Sequence, residues 1–355
     1  LDWTHAGAFG RIKAYETEFL SREYIEGLIG RSLSEITQLL SGTIYKEDIE
    51  MFYSLYKNPE MLEIAVNRRL AVRNSIALFA VPPSISTFLK TYFLKWDVEN
   101  IKAVMASKIL GYSIHQTETL LLSFRDIPVG VFGGLLSPDD YKVMIGLGSV
   151  EAIVEYLARF PIGTFLMQYL DTYRKSRDTS DLFWAMDLYL SGKTMESLKF
   201  YTGREEIVRR YFKMDIDEKN IMLILKAVDL NVSWERIDHH IIPGGFLDPA
   251  EIENLFRSGS VNEIVNRLKS LYDLEEALSV YLESGLLYNF EISMKKKRYS
   301  LINSMRAMAA SLPSLFSFVL RSEIERENLR SVIAAASNGL KENRLRELLT
   351  VEVLE

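Results

Sequence analysis

Cysteine is absent from this 355-residue chain. Disulfides, thiolate metal sites and thiol nucleophiles are thereby excluded, and small disulfide-stapled extracellular scaffolds with them; the absence is compatible with a reducing compartment. Glycine and proline number only 19 and 9, too few for a collagenous or low-complexity chain. No apolar run is long enough to span a bilayer, which takes roughly 20 residues. The two least charged stretches, Ser75 to Leu89 and Ala307 to Leu320, are interrupted by Pro82-Pro83 and by Pro313, and read as buried helices broken at proline. The opening residues, Asp2, Trp3, Thr4 and His5 among them, lack the charged leader and apolar core of a signal peptide. An excess of positive charge is missing too. With a net charge of −6 and a pI near 5.5, the broad basic surface that phosphate neutralisation requires is not expected, and neither is a nucleic-acid partner. The chain reads as soluble and globular, reaching a membrane only through partners.

Strand signals are also scarce. The apolar positions keep a period near 3.6, and Asn338-Gly339 falls at a helix end rather than between alternating runs. An all-α fold is expected.

What the chain does contain is a threefold internal repeat. Asp97-Val-Glu-Asn100-Ile, Asp217-Glu-Lys-Asn220-Ile and Glu325-Arg-Glu-Asn328-Leu each place an acid three positions before an asparagine. An apolar stripe at helical spacing follows in each: Ile101, Val104, Met105; Ile221, Ile224, Leu225, Val228; Leu329, Val332, Ile333, Ala336. Eleven residues after each asparagine stand Gly111, Asn231 and Gly339, residue types suited to the left-handed conformation that closes a helix. Further segments recur in the same order. Leu62-x-x-Ala65-Val66 matches Leu182-x-x-Ala185-Met186 and Leu274-x-x-Ala277-Leu278. Leu20-Ser21, Leu136-Ser137-Pro138 and Leu247-Asp248-Pro249 each put a capping residue before a short helix, and Ser32, Ser149 and Ser260 open the next one. Ile127-Pro128 leads through Gly133-Gly134 to Leu136, as Ile242-Pro243 leads through Gly244-Gly245 to Leu247. These junctions divide the chain into helical repeats 1–126, 127–241 and 242–355, with helix breaks near Pro82-Pro83, Gly203 and Pro313. The acid and asparagine pairs themselves read as an N-cap and its reciprocal partner at the third helical position.

Catalytic constellations are not found. Ser191-Gly192-Lys193-Thr194 resembles the end of a phosphate-binding loop, but Asp187 stands where that loop needs glycine, so a helix-terminating Ser-Gly turn is the better reading. The one dense histidine cluster is Asp238-His239-His240. Adjacent residues on a helix point about 100° apart, so this run is not expected to converge on a metal ion. No Gly-x-Ser-x-Gly elbow or His-Glu-x-x-His occurs. No catalytic residue, metal ligand, cofactor or small-molecule substrate is therefore expected. The charge run Lys295-Lys-Lys-Arg298 reads as a solvated helix face, with contact to an acidic partner as the alternative.

Together with the opening Arg11-Ile-Lys-Ala-Tyr15-Glu-x-x-Phe19-Leu20-Ser21, the three asparagine signatures and the Ser-Leu/Val-x-x-Ile helices resemble the C-type subunit of archaeal and bacterial V/A-type rotary ATPases, equivalent to the d-type subunit of eukaryotic V-type pumps. The resemblance spans essentially the whole chain. It implies three pseudo-threefold-related repeats forming a funnel with a central cavity, on the cytoplasmic face of the membrane. It implies a non-catalytic central-stalk role, joining the D- and F-type shaft subunits to the membrane proteolipid ring. Asn100, Asn220 and Asn328 carry over as candidate partner-binding positions lining the cavity. Two departures stand out: Asn231 replaces the glycine of the other copies, and the third repeat has no Ile-Pro junction after it. The competing reading is a helical-repeat scaffold that binds a protein or peptide in a groove.

Overall fold

The computed structural model describes residues 3–121 and 130–353. Ile127-Pro128 lies outside them. Among the described residues the secondary structure is helical throughout, with no strand, so the all-α expectation holds. No helix among these residues is long and apolar enough to cross a membrane.

The helices run in chain order as α1 Trp3–Glu16, α2 Arg22–Glu26, α3 Leu33–Leu40, α4 Lys46–Phe52, α5 Glu60–Ala80, α6 Pro83–Ile109, α7 Ile114–Leu121, α8 Pro138–Gly146, α9 Val150–Leu157, α10 Pro161–Leu166, α11 Leu170–Ser176, α12 Ser180–Ser197, α13 Glu206–Asp229, α14 Pro249–Phe256, α15 Val261–Leu268, α16 Glu275–Ser284, α17 Tyr288–Arg306, α18 Leu312–Asn338 and α19 Glu342–Leu348. Local chemistry sets most of these boundaries. Ser21, Ser137 and Asp248 cap α2, α8 and α14 by accepting from Tyr24, Asp140 and Glu251 N–H, and Pro138 and Pro249 open the latter two helices. Ser32, Ser149 and Ser260 cap α3, α9 and α15 in the same way. The breaks fall where prolines and Gly203 stand: α5 gives way to α6 at Pro82-Pro83, Gly203 precedes α13, and Pro313 sits in the first turn of α18. Gly111, Asn231 and Gly339 all take positive φ, at 70°, 52° and 68°, so the three long helices do end as their spacing predicts.

Two compact units result, Leu1–Asp178 with Arg306–Glu355, and Thr179–Met305. The centre of the first is α18. Its opening half, Leu312 to Glu325, is buried at every position, so the apolar stripe expected of it describes only the later turns. It packs on α1, α3 and α5. Edge-to-face aromatic contacts join it to α6 through Phe88–Phe316 and Tyr92–Phe316, and to Phe19 through Phe318. In the same unit α6 carries α8 and α9. In the second unit α13 plays the corresponding part, carrying α14 and α15 over a core of Ile221, Ile224, Leu225, Ile252, Ile264, Val265, Leu268, Phe290 and Met294.

Two local expectations are corrected. Gly192 does not terminate a helix: α12 continues through it to Ser197, since the surrounding apolar face stays buried at Tyr189 and Thr194. The run from Lys295 is not wholly a solvated face either. Arg298 on α17 is buried and paired with Glu218 at 2.9 Å and Asp215 at 3.3 Å.

Candidate functional site

The acid and asparagine signatures do not start helices. Asp97 lies mid-way along α6, Asp217 in α13 and Glu325 in α18, each on the buried face beside its asparagine. The N-cap reading is therefore overturned: the helix begins at Pro83 in the first copy, so the amides around Asp97 are already paired within it. A carboxylate and an amide three residues apart in a dry helix face need partners from elsewhere in the chain. In each copy the partner is the backbone of a loop.

In the first copy, Asp97 Oδ2 accepts Leu135 N–H at 2.6 Å and Leu136 N–H at 3.4 Å, while Oδ1 accepts the Tyr141 hydroxyl at 2.9 Å. Asn100 Nδ2 donates to Val131 C=O at 3.0 Å. In the second, Asp217 takes Phe246 N–H and Leu247 N–H, one on each oxygen, both at 3.1 Å. Asn220 binds both backbone groups of Ile242, donating at 2.8 Å and accepting at 2.9 Å. In the third, Glu325 accepts Leu20 N–H at 2.7 Å, the Tyr45 hydroxyl at 2.6 Å and an Arg73 N–H at 2.7 Å. Asn328 clasps Thr350 through C=O at 3.3 Å and N–H at 2.8 Å.

The copies thus form one repeated clasp, in which each long helix grips the segment that leads into the next short helix pair. Val131 C=O meets Asn100 as Ile242 C=O meets Asn220, so these two residues hold corresponding places in the clasps. In the third clasp the two halves come from far-apart stretches of chain. Thr350 fills the asparagine and Leu20, 305 residues before Glu325, fills the acid. A third Ile-Pro junction is not required, because α2 and its preceding residues supply the capped helix instead.

Close approach explains one glycine in each of the first two clasps. A Cβ on Gly134 would sit 2.0 Å from the Asp97 carboxylate, and one on Gly245 2.1 Å from that of Asp217. Both positions must lack a side chain for the loop amides to reach the acid.

The electrostatics follow from burial. Asp97 and Asp217 are 3% and 1% exposed. Burial pushes each carboxyl up to about 6, against the opposing pull of the two loop N–H donors; Asp140 adds to the rise at the first, Glu251 adds to it and Lys213 opposes it at the second. Tyr141 is raised well above a normal phenol by burial and by Asp97 beside it.

Asn100, Asn220 and Asn328 are 6%, 1% and 2% exposed, and their amides are engaged by the chain itself. Exposed apolar side chains stand at the two ends of α6 and α13. Phe79, at the α5–α6 elbow, is 89% exposed, and Phe200, just before α13, is 83% exposed. At the opposite ends of α6 and α13, Leu110 and Leu230 are 66% and 70% exposed. Sequence reasoning missed these because an isolated exposed apolar residue leaves no periodic signature.

The family model described as ATP synthase (C/AC39) subunit matches residues 8–348. Two A-type ATP synthase C subunits are each 38% identical to this chain. That of Thermoplasma volcanium aligns over 351 residues, 98% of this chain and 99% of its own; that of Thermoplasma acidophilum aligns over 358 residues and the whole of both. The corresponding A-type ATP synthase protein of Methanocaldococcus jannaschii is 24% identical over 348 residues, 96% of this chain and 84% of its own.

Proposed function

Since the chain belongs to the ATP synthase (C/AC39) subunit family, we propose that it is the non-catalytic central-stalk adaptor of a V/A-type rotary ATPase or ATP synthase, joining the D- and F-type shaft subunits to the membrane proteolipid ring on the cytoplasmic face. It has no reaction of its own. ATP-linked proton or sodium transport passes through it as torque.

The observation that carries this reading is the cyclic order of the clasps: the first copy grips the start of the second, the second that of the third, and the third returns to Leu20. Such an order suits three pseudo-threefold repeats, 1–126, 127–241 and 242–355, closed as a funnel around a central cavity. A torque-bearing part must be stiff, and packed helices held by buried hydrogen bonds supply that better than mobile loops. It must also present two different ends. The long helix α6, about 40 Å at 1.5 Å per residue, has Phe79 at one end and Leu110 at the other; exposed aromatic and apolar side chains of this kind form the centres of protein interfaces. In this reading the three asparagines shape the funnel wall, and the exposed residues at the helix ends make the contacts.

The test is calorimetric titration of the full chain with a matched two-subunit shaft, checked by size exclusion. Saturable one-to-one binding is expected, with Phe79→Ala and Leu110→Ala, at opposite ends of α6, differing in effect: one weakens the binding and the other spares it. Absence of a complex with the matched shaft, together with an elongated scattering envelope, would replace the adaptor by the groove-binding scaffold.

A further inference from the structure

Outside the clasps, one group of side chains has no part in the proposed role. The Asp238-His239-His240 run lies in a 3-10 turn rather than an α-helix, and this changes its geometry. The two imidazoles are not splayed about 100° apart; their centroids are 4.0 Å apart with the rings tilted by 38°. Both Nε2 atoms reach the same carboxylate oxygen, Asp181 Oδ1 in the first turn of α12, at 3.3 Å from His239 and 3.0 Å from His240. The expectation that this run does not converge therefore fails, because it assumed α-helical spacing and could not foresee a third ligand 59 residues away.

We propose that Asp181, His239 and His240 bind one divalent transition-metal ion of the zinc class. Three donor atoms, one from each residue, lie within 4.8 Å of one another. Zinc takes imidazole nitrogen and carboxylate oxygen at about 2.0–2.2 Å in a tetrahedron, which places neighbouring donors about 3.3 Å apart; the two nitrogen-to-oxygen separations here are already at that spacing. Metal sites also orient their histidines from behind. His239 Nδ1 lies 3.2 Å from Asp238 Oδ1, the carboxylate–histidine arrangement that fixes a ring with Nε2 toward the metal. On the other side Trp184 packs edge-on against the His240 ring at 5.6 Å. Exposure is graded to match an entry path: the side chains of Asp181 and His240 are 16% and 15% exposed, that of His239 52%. Three protein ligands leave the fourth position to water. Two imidazoles select against magnesium and calcium, which favour all-oxygen shells. The ion would staple the start of α12 to the turn that runs directly into Ile242, the residue Asn220 holds, so its effect is structural.

The experiment uses the untagged full chain after chelator treatment, titrated calorimetrically with zinc chloride, with cobalt(II) as a spectroscopic probe and magnesium as a control. Expected are one zinc per chain, the visible bands of a four-coordinate cobalt site, a raised unfolding temperature and no response to magnesium. Asp181→Asn and His240→Ala should each weaken zinc binding about tenfold to a hundredfold, while His115→Ala, an exposed histidine elsewhere, leaves it unchanged. Circular dichroism confirms that the variants fold, and Asp181→Asn keeps the volume of the ligand it replaces. Zinc binding that survives both substitutions at unaltered affinity, a six-coordinate cobalt spectrum, or no saturable binding overturns the proposal.

Discussion

The first two clasps and the third hold the same kind of loop with opposite electrostatics. Asp97 and Asp217 are ringed by neutral donors, two N–H groups each and, for Asp97, a tyrosine hydroxyl. Glu325 has N–H and hydroxyl partners of the same kind but adds Arg73, itself 1% exposed. The arginine is held in turn by Glu18 C=O at 3.1 Å and by the Phe19 ring at 4.3 Å. Where one continuous loop delivers the amides, backbone dipoles suffice for a dry carboxylate. Where distant stretches of chain must be brought together, a full ion pair fixes them.

The largest effect should come from removing the cation. Arg73→Ala leaves Glu325 buried without its ion-pair partner and should cost about 3–5 kcal/mol by chemical denaturation; a loss below about 1 kcal/mol would mean that the remaining neighbours hold the carboxylate and that the contrast between clasps is empty.

Next is a pH dependence at the two aspartates. Their folded pKa, about 6, lies above the ordinary value near 4, so the native state binds more protons between those limits and stability falls as pH rises through them. Each aspartate accounts for on the order of 2–3 kcal/mol. Denaturation midpoints of wild type and Asp97→Asn, compared from about pH 4 to about pH 7, should diverge in favour of the variant as pH rises. Parallel curves would show that Asp97 titrates at its unfolded value.

The two aspartates should then part company. An asparagine at 97 can accept from Leu135 with its oxygen and donate to the Tyr141 oxygen with its amide, so Asp97→Asn keeps the clasp and should be no less stable than wild type at neutral pH. At 217 both oxygens face N–H groups, and Asp217→Asn points one donor at another, costing about 2 kcal/mol. Equal effects would mean that one loop turns to suit the amide.

The smallest effect concerns the asparagines. Asn220→Ala loses a donor and an acceptor pair and should destabilise by about 2 kcal/mol, against about 1 kcal/mol for Asn100→Ala, whose amide donates to Val131 alone of the loop. The reverse order would shift the weight of the first clasp from Asp97 to Asn100.

Much of this architecture was legible in the chain because its determinants are local. Ser21, Ser137 and Asp248 cap their helices, and Gly111, Asn231 and Gly339 end theirs, through chemistry confined to a few neighbouring residues. The clasps were not legible for the same reason turned around. An acid three residues before an asparagine is also the pattern of a reciprocal cap, and only knowing that α6 starts at Pro83 separates the two. One signal was available: Asp97 and Asn100 share a helix face with Ile101 and Val104, so polar groups stand on an apolar stripe and must find buried partners. The identity of those partners, like that of Asp181 for the two histidines, depends on contacts across tens to hundreds of residues that spacing does not encode.

The discontinuity of the first unit also orders events during synthesis. Residues 179–305 form an uninterrupted stretch, whose clasp from Asp217 to Leu247 can close as soon as that stretch has left the ribosome. The first unit must wait. Until α18 and Thr350 emerge, Leu20, Tyr45 and Arg73 have no carboxylate to meet, and the third clasp cannot close before nearly the whole of this sequence has been made.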